Sequence, residues 1–165
     1  MALSAASALA TLALAGCAGR RIEDGVFHSP TGYRVAIPGP EWTIVESSRA
    51  DLELRHRDGG AGMLANAGCA EEVARRPPAR LSMHLLAGLG SRTVLERGEV
   101  ALAGRPAAHA VVEARAEGAA SRVRIETYTL TDGRCVYDFI YAADVAAFAA
   151  RRGDFTRFLG SFTTE

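Results

Sequence analysis

The chain of 165 residues contains no lysine: every one of its 19 cations is arginine, and 19 acidic residues balance them to a formal net charge of +0. A nucleic-acid-binding domain announces itself by a basic stripe, and none is present. The arginines are scattered, so they outline no anion-binding surface either. Together with abundant alanine and glycine they read as a coding bias. Histidine is scarce. His28, His56, His84 and His109 lie far apart with no metal-ligand spacing, so no metal is expected. There is no nucleophile elbow, no phosphate-binding loop and no dinucleotide fingerprint, which points away from hydrolase chemistry and nucleotide cofactors. No cofactor is expected, and the reading is that of a non-enzyme. After the amino-terminal segment no run is long and apolar enough to span a bilayer. What remains is ordinary for a globular domain: 48% hydrophobic and 23% charged residues, with a mean hydropathy of +0.05.

The amino terminus is where the sequence speaks most plainly. Ala2 to Ala15 is apolar and uncharged, and it ends in Leu14-Ala15-Gly16-Cys17. Roughly 20 apolar residues are needed to cross a membrane, whereas a secretory core of about 7–15 ending at small side chains fits this run. Small residues before a cysteine resemble a bacterial lipobox. That resemblance implies cleavage before Cys17 and a diacylglyceryl group on its sulfur. Residues 1–16 then form a signal peptide, 17–24 a lipidated cysteine and tether, and 25–165 a single domain. The first cation is Arg20, later than signal peptides usually place one; a start upstream or the free amino group would supply the charge. The expected address is the cell envelope, lipid-anchored. By its resemblance to known sorting patterns, Ala18 after the cysteine implies the periplasmic side of an outer membrane over an inner one, if the cell has both.

Export leaves Cys69 and Cys135 in an oxidising compartment, where a disulfide persists. With Cys17 assigned to lipid, these two form an even count. The alternative is a pair of buried thiols acting as small hydrophobes.

Along the remaining chain the period of the apolar residues changes three times. Tyr33 to Ile37 alternates as a half-buried strand, Pro38-Gly39-Pro40 breaks it, and Trp42 to Val45 resumes, which predicts a hairpin. Asp51 to Arg57 and Gly62 to Ala67 read as strands around the turn Asp58-Gly59-Gly60. After Pro77-Pro78, the residues Leu81, Leu85, Leu86 and Leu89 mark a helix face. Arg92 to Leu102, Ala108 to Ala116, Val123 to Leu130 and Cys135 to Tyr141 read as strands, with Gly98 as a bulge and Gly104-Arg105-Pro106 as a turn. Val145 to Leu159 reads as a closing helix with Phe148, Phe155, Phe158 and Leu159 as its stripe. Strands, helix, strands, helix with short links predict an α+β fold whose sheet is mainly antiparallel.

Tyr33-Arg34-Val35-Ala36-Ile37-Pro38 followed by Glu41-Trp42, then Ala103-Gly104-Arg105-Pro106-Ala107, then Cys135-Val136-Tyr137-Asp138-Phe139, and finally Asp154-Phe155 through Ser161-Phe162 occur in an order that resembles the PsbP-like and Mog1-like domains, including their bacterial lipoprotein branch. The resemblance covers nearly the whole chain after the signal. It implies a central antiparallel sheet with helices on both sides, an α/β/α sandwich. It also implies a mixed set of roles: photosystem assembly and extrinsic subunits, a nuclear transport factor, and envelope lipoproteins. No catalytic set is common to them, so it carries fold further than function.

Three residues merit attention in their own right. Trp42 reads as a core anchor where the chain re-enters the sheet, with ligand stacking as the functional alternative. His56 alternates in phase with Leu52 and Leu54, as a core histidine does. Asp138 sits between apolar positions of a strand that should be central, and a buried acid needs a partner. Arg124, or Arg122, would supply a buried ion pair, or the acid would face a solvated gap between helices; the other reading is a ligand-binding carboxylate. The expected function is a non-catalytic, membrane-anchored envelope lipoprotein presenting its domain to a protein partner. A small-molecule binder or an unrecognised enzyme is the alternative, and a pocket near Asp138 or Trp42 would favour it.

Overall fold

A computed structural model describes residues 21–87, 89, 91–115 and 121–164. Residues 1–20, which include the expected signal peptide and Cys17, lie outside the described residues. Among the described residues there are two antiparallel sheets and three helices. The small sheet contains β1 (Arg21–Glu23), β2 (Val26–His28), β3 (Tyr33–Ala36) and β11 (Thr163–Thr164), in the order β1-β2-β3-β11. The large sheet contains β4 (Trp42–Ile44), β5 (Leu52–His56), β6 (Ala61–Gly68), β7 (Arg92–Leu102), β8 (Arg105–Ala114), β9 (Val123–Thr131) and β10 (Val136–Asp144), in the order β4-β5-β6-β10-β9-β8-β7. The helices are α1 (Glu71–Ala74), α2 (Pro78–Leu85) and α3 (Phe148–Gly160). Among the described residues, no helix is long and apolar enough to cross a membrane.

Strand β10 is the middle of the seven, between β6 and β9, and its alternation decides the layering. Tyr137, Phe139, Tyr141 and Ala143 turn to one face and meet Phe148, Phe155, Phe158 and Leu159 of α3, all in one buried cluster with Trp42 and the small-sheet residues Phe27, Tyr33 and Val35. Val136, Asp138, Ile140 and Ala142 turn to the other, where α1 and α2 lie. Val136 packs with Ala74 and Leu81, while Leu86 packs on Ala110, Val112 and Ile125 of β8 and β9. Both faces of the strand are thus covered over part of its length. The layering is the predicted α+β arrangement of a mainly antiparallel sheet between helices.

Several boundaries differ from the sequence reading. Tyr33 to Ile37 and Trp42 to Val45 do not form a hairpin. β3 pairs with β2 and β11, β4 pairs with β5, and Pro38-Gly39-Pro40 carries the chain from one sheet to the other. Arg21–Glu23, expected to lie ahead of the domain, pairs with β2 around a two-residue turn. Both turn residues, Asp24 and Gly25, have positive φ (50° and 76°), the hairpin geometry that Asp-Gly favours. Ala103 and Gly104 form the β7–β8 turn in the same way (50° and 73°), so Arg105 and Pro106 already belong to β8. The bulge of β7 falls between Val94 and Glu96, whereas Gly98 stays in register opposite His109. Strand β10 runs on to Asp144, and Ala147 donates to the Asp144 carbonyl at 2.9 Å, so α3 starts three residues later than Val145.

Asp51 holds the two sheets together. Its Oδ2 accepts from the Tyr33 hydroxyl at 3.0 Å and from the Ala67 amide at 3.0 Å. The terminal segment is fixed by Ser161, whose hydroxyl oxygen accepts from the Ala36 amide at 2.8 Å.

Candidate binding groove beside Asp138

Alternation places Asp138 on the α1/α2 face of β10, with Thr129 of β9 on one side and Asn66 of β6 on the other. The ladder therefore surrounds one carboxylate with two short polar side chains. Thr129 donates from its hydroxyl to Asp138 Oδ1 at 2.7 Å. Burial raises the carboxyl to about 6, and the Thr129 hydrogen bond only partly offsets that rise. The ion pair anticipated with Arg124 is not formed. Arg124 stands opposite Ala143, five positions along the ladder and on the other face of the sheet. There it donates to Glu113 Oε1 from Nη2 at 2.5 Å and lies 5.3 Å from the Phe148 ring centroid. Arg122 likewise pairs with Glu113, at 3.7 Å.

Asp138 instead faces a groove of about 470 Å³ between α1/α2 and strands β6 and β10. Val73, Leu81, Leu85 and Val136 supply apolar walls, and Asn66, His84 and Asp138 the polar groups. The walls are fixed from several sides. Cys69 and Cys135 are joined with a Cα–Cα distance of 4.0 Å, tying the end of β6 to the start of β10 beside the groove. Thr131 donates from its hydroxyl to the Ala74 carbonyl at 2.6 Å, which pins α1 to β9. The Arg92 guanidinium donates to the Leu86 carbonyl at the end of α2. Proline at the first turn starts α2 directly over the sheet without a lost hydrogen bond.

Trp42 does not join this site. It is 4% exposed, donates from Nε1 to Asp154 Oδ2 at 2.9 Å and meets the His56 ring edge-on at 5.1 Å, as a core anchor. His56 is buried beside it with Nδ1 2.8 Å from Asp58. The four histidines lie apart, and no group of three or more potential metal ligands occurs among the described residues.

The sequence reading missed a second charged centre, on the α3 face. Glu126 of β9 is 1% exposed. Arg152 of α3 grips it with Nε–Oε2 and Nη2–Oε1 distances of 2.8 Å each, while His109 Nε2 lies 2.9 Å and the Tyr128 hydroxyl 3.1 Å from Oε1. Burial pushes the Glu126 carboxyl up, and the Arg152 and His109 contacts more than reverse this. The Tyr128 hydroxyl is pushed up to about 12 by burial and the adjacent carboxylate. Both Glu126 oxygens are engaged, so this centre fastens α3 to the sheet. Its signal in the sequence was an acid in phase with Tyr128 and Leu130, the same argument that singled out Asp138.

Solved structures share this arrangement of sheet and helices. The fold is PsbP/Mog1-like. Cyanobacterial PsbP (CyanoP) from Synechocystis sp. PCC 6803 superposes with a TM-score of 0.54 at 12% identity, covering 95% of this chain and 99% of that one. LpqN of Mycobacterium tuberculosis, described as involved in cell envelope biogenesis, gives 0.59 at 16% identity over 83% and 87%. The Ran-binding protein Mog1p of Saccharomyces cerevisiae gives 0.56 at 10% identity over 81% and 90%. The chain spans about half, 49%, of a Bacteroides thetaiotaomicron structure that covers 90% of it, with a TM-score of 0.62 and 10% identity. No protein-family model and no curated protein sequence matches the chain.

Proposed function

We propose that this chain is a non-catalytic binding protein of the cell envelope, anchored to a membrane by lipid on Cys17 and presenting its PsbP/Mog1-like domain to a partner. The groove beside Asp138 carries the binding reading. It combines apolar walls with a few convergent polar groups, which is how binding sites are generally built. The wall residue Val73 is 37% exposed, so the groove opens to solvent rather than closing into the core. Proteins of the same fold include a Ran-binding protein and one involved in cell envelope biogenesis, which supports a role in binding at the envelope.

The protein-interaction form of the reading has its own support in strand β7. Its first ten residues are exposed, and Val94, Leu95 and Val100 stand open along the edge of the large sheet. An open edge with apolar side chains is a surface on which an extended segment of a partner can pair.

Intact-mass analysis of the protein recovered from membranes tests the anchor. The expected species begins at Cys17 and carries the lipid, and a Cys17→Ser variant remains unprocessed. Recovery of native protein retaining Met1 and no lipid would overturn the anchored reading.

A further inference from the structure

Among the described residues, Asp138 is the acid that lines the groove, and no arginine lines it. Fixed positive charge is placed elsewhere: Arg124 and Arg122 on Glu113, Arg152 on Glu126, Arg151 on Asp58. Thr129 engages one oxygen of the Asp138 carboxylate, and no other hydrogen bond to Asp138 is present among the described residues. The side chains of Asn66 and His84 make no hydrogen bond among the described residues. Asp138 is half-buried and its carboxylate is held by a single neutral donor, so it can take a positively charged hydrogen-bond donor from the groove.

We propose that the groove binds a small apolar molecule bearing a protonated amine, with the ammonium group on the Asp138 carboxylate and the apolar body against Val73, Leu81, Leu85 and Val136. The amide of Asn66, next to Asp138 across the ladder, offers a carbonyl acceptor for a second ammonium hydrogen. This inference rests on the groove being the binding site and adds the charge class of its occupant.

The electrostatics give a pH signature. With the Asp138 carboxyl raised to about 6 by burial, the carboxylate is present above that pH and largely protonated below it, while an alkyl amine stays charged throughout. The groups facing Asp138 are Thr129 from β9, Asn66 from β6 and His84 from α2. The Asp138→Asn variant, compared at both ends of the pH range, separates the contribution of Asp138 from that of its neighbours.

The test is calorimetric titration of the intact, detergent-solubilised protein with phenylbutylamine, phenylbutanol and phenylbutyrate. The Leu85→Trp variant, which fills the groove, corrects for partition into detergent. At about pH 7.5 the amine should bind about tenfold or more tightly than the alcohol, the acid more weakly than either, as one charge-assisted hydrogen bond predicts. That advantage should largely vanish at about pH 5, and in Asp138→Asn at both pH values. Asn keeps a carbonyl to accept from Thr129, so this variant should stay folded, and an unchanged circular dichroism spectrum checks it. Equal binding of amine and alcohol, lost in Leu85→Trp, would leave the groove standing and overturn the cationic occupant. An amine preference that survives Asp138→Asn, or no binding of the amine beyond the Leu85→Trp background, would also overturn it.

Discussion

At the scale of single residues, Asp138 and Glu126 are two acids in one sheet with opposite solutions. Glu126 is surrounded by Arg152, His109 and Tyr128 and is held ionised. Asp138 has Thr129 alone, and its carboxyl is raised from 3.8 to about 6. A raised carboxyl means that the folded state binds its proton more tightly than the unfolded chain. Its contribution to stability is therefore fully present below about pH 4 and is lost as pH rises to about 6. Asp138→Asn removes this dependence. Urea midpoints should show the variant gaining on the parent between about pH 4 and pH 7, by an amount on the order of 2–3 kcal/mol at about 1.4 kcal/mol per pKa unit. A constant difference across that range would mean that Asp138 titrates normally. Asp138 was legible in the sequence because an acid between apolar residues of a central strand stands out. Its partner was not. Which residues meet across a ladder depends on register, and register set Asp138 against Thr129 and Arg124 against Ala143.

At the scale of elements, the aromatic face of α3 packs into the main core cluster. Phe155 is 1% exposed, stacks with Tyr141 at 5.4 Å and lies 6.0 Å from Tyr128. Phe155→Ala should cost about 3–5 kcal/mol, read as a lower denaturation midpoint. An unchanged midpoint would remove α3 from the core. The stripe of this helix was readable because four large apolar residues recur at helical spacing. So was the meander β7 to β10, where alternation and turn residues agree. The hairpin drawn from Tyr33 to Val45 was misread for a physical reason. Two strands around a Pro/Gly cluster satisfy the local signals of a hairpin, but the prolines fix a crossing between sheets that local signals do not encode.

The bridge between Cys69 and Cys135 also belongs to this scale, since it joins β6 to β10 across a sequence separation of 66. By loop-closure entropy such a link contributes roughly 4 kcal/mol. Thiol titration of the denatured, unreduced protein should find neither cysteine free. Two reactive thiols apart from Cys17 would show that the bridge does not form in the native protein. Reduction should loosen the start of α1, because Cys69 precedes it directly.

At the scale of the whole molecule, the architecture follows from layering. One face of a seven-stranded sheet is closed by α3 and the small sheet, and the other is closed only in part by α1 and α2. The groove is the consequence of that partial cover. The sequence could announce the two helices and the sheet between them. It could not announce the gap, since a gap depends on how far an eight-residue helix reaches across a sheet. The measurement that tests the account most directly places a photo-crosslinking residue at Val73, on the groove wall, and another at Thr156, exposed on α3, in the protein as it sits in living cells. Intact mass after illumination is then read. The account predicts a discrete mass increment at Val73 that disappears with Leu85→Trp and is absent at Thr156. No increment at Val73, or the same adducts at both positions, would contradict the claim that this protein works by binding in the groove beside Asp138.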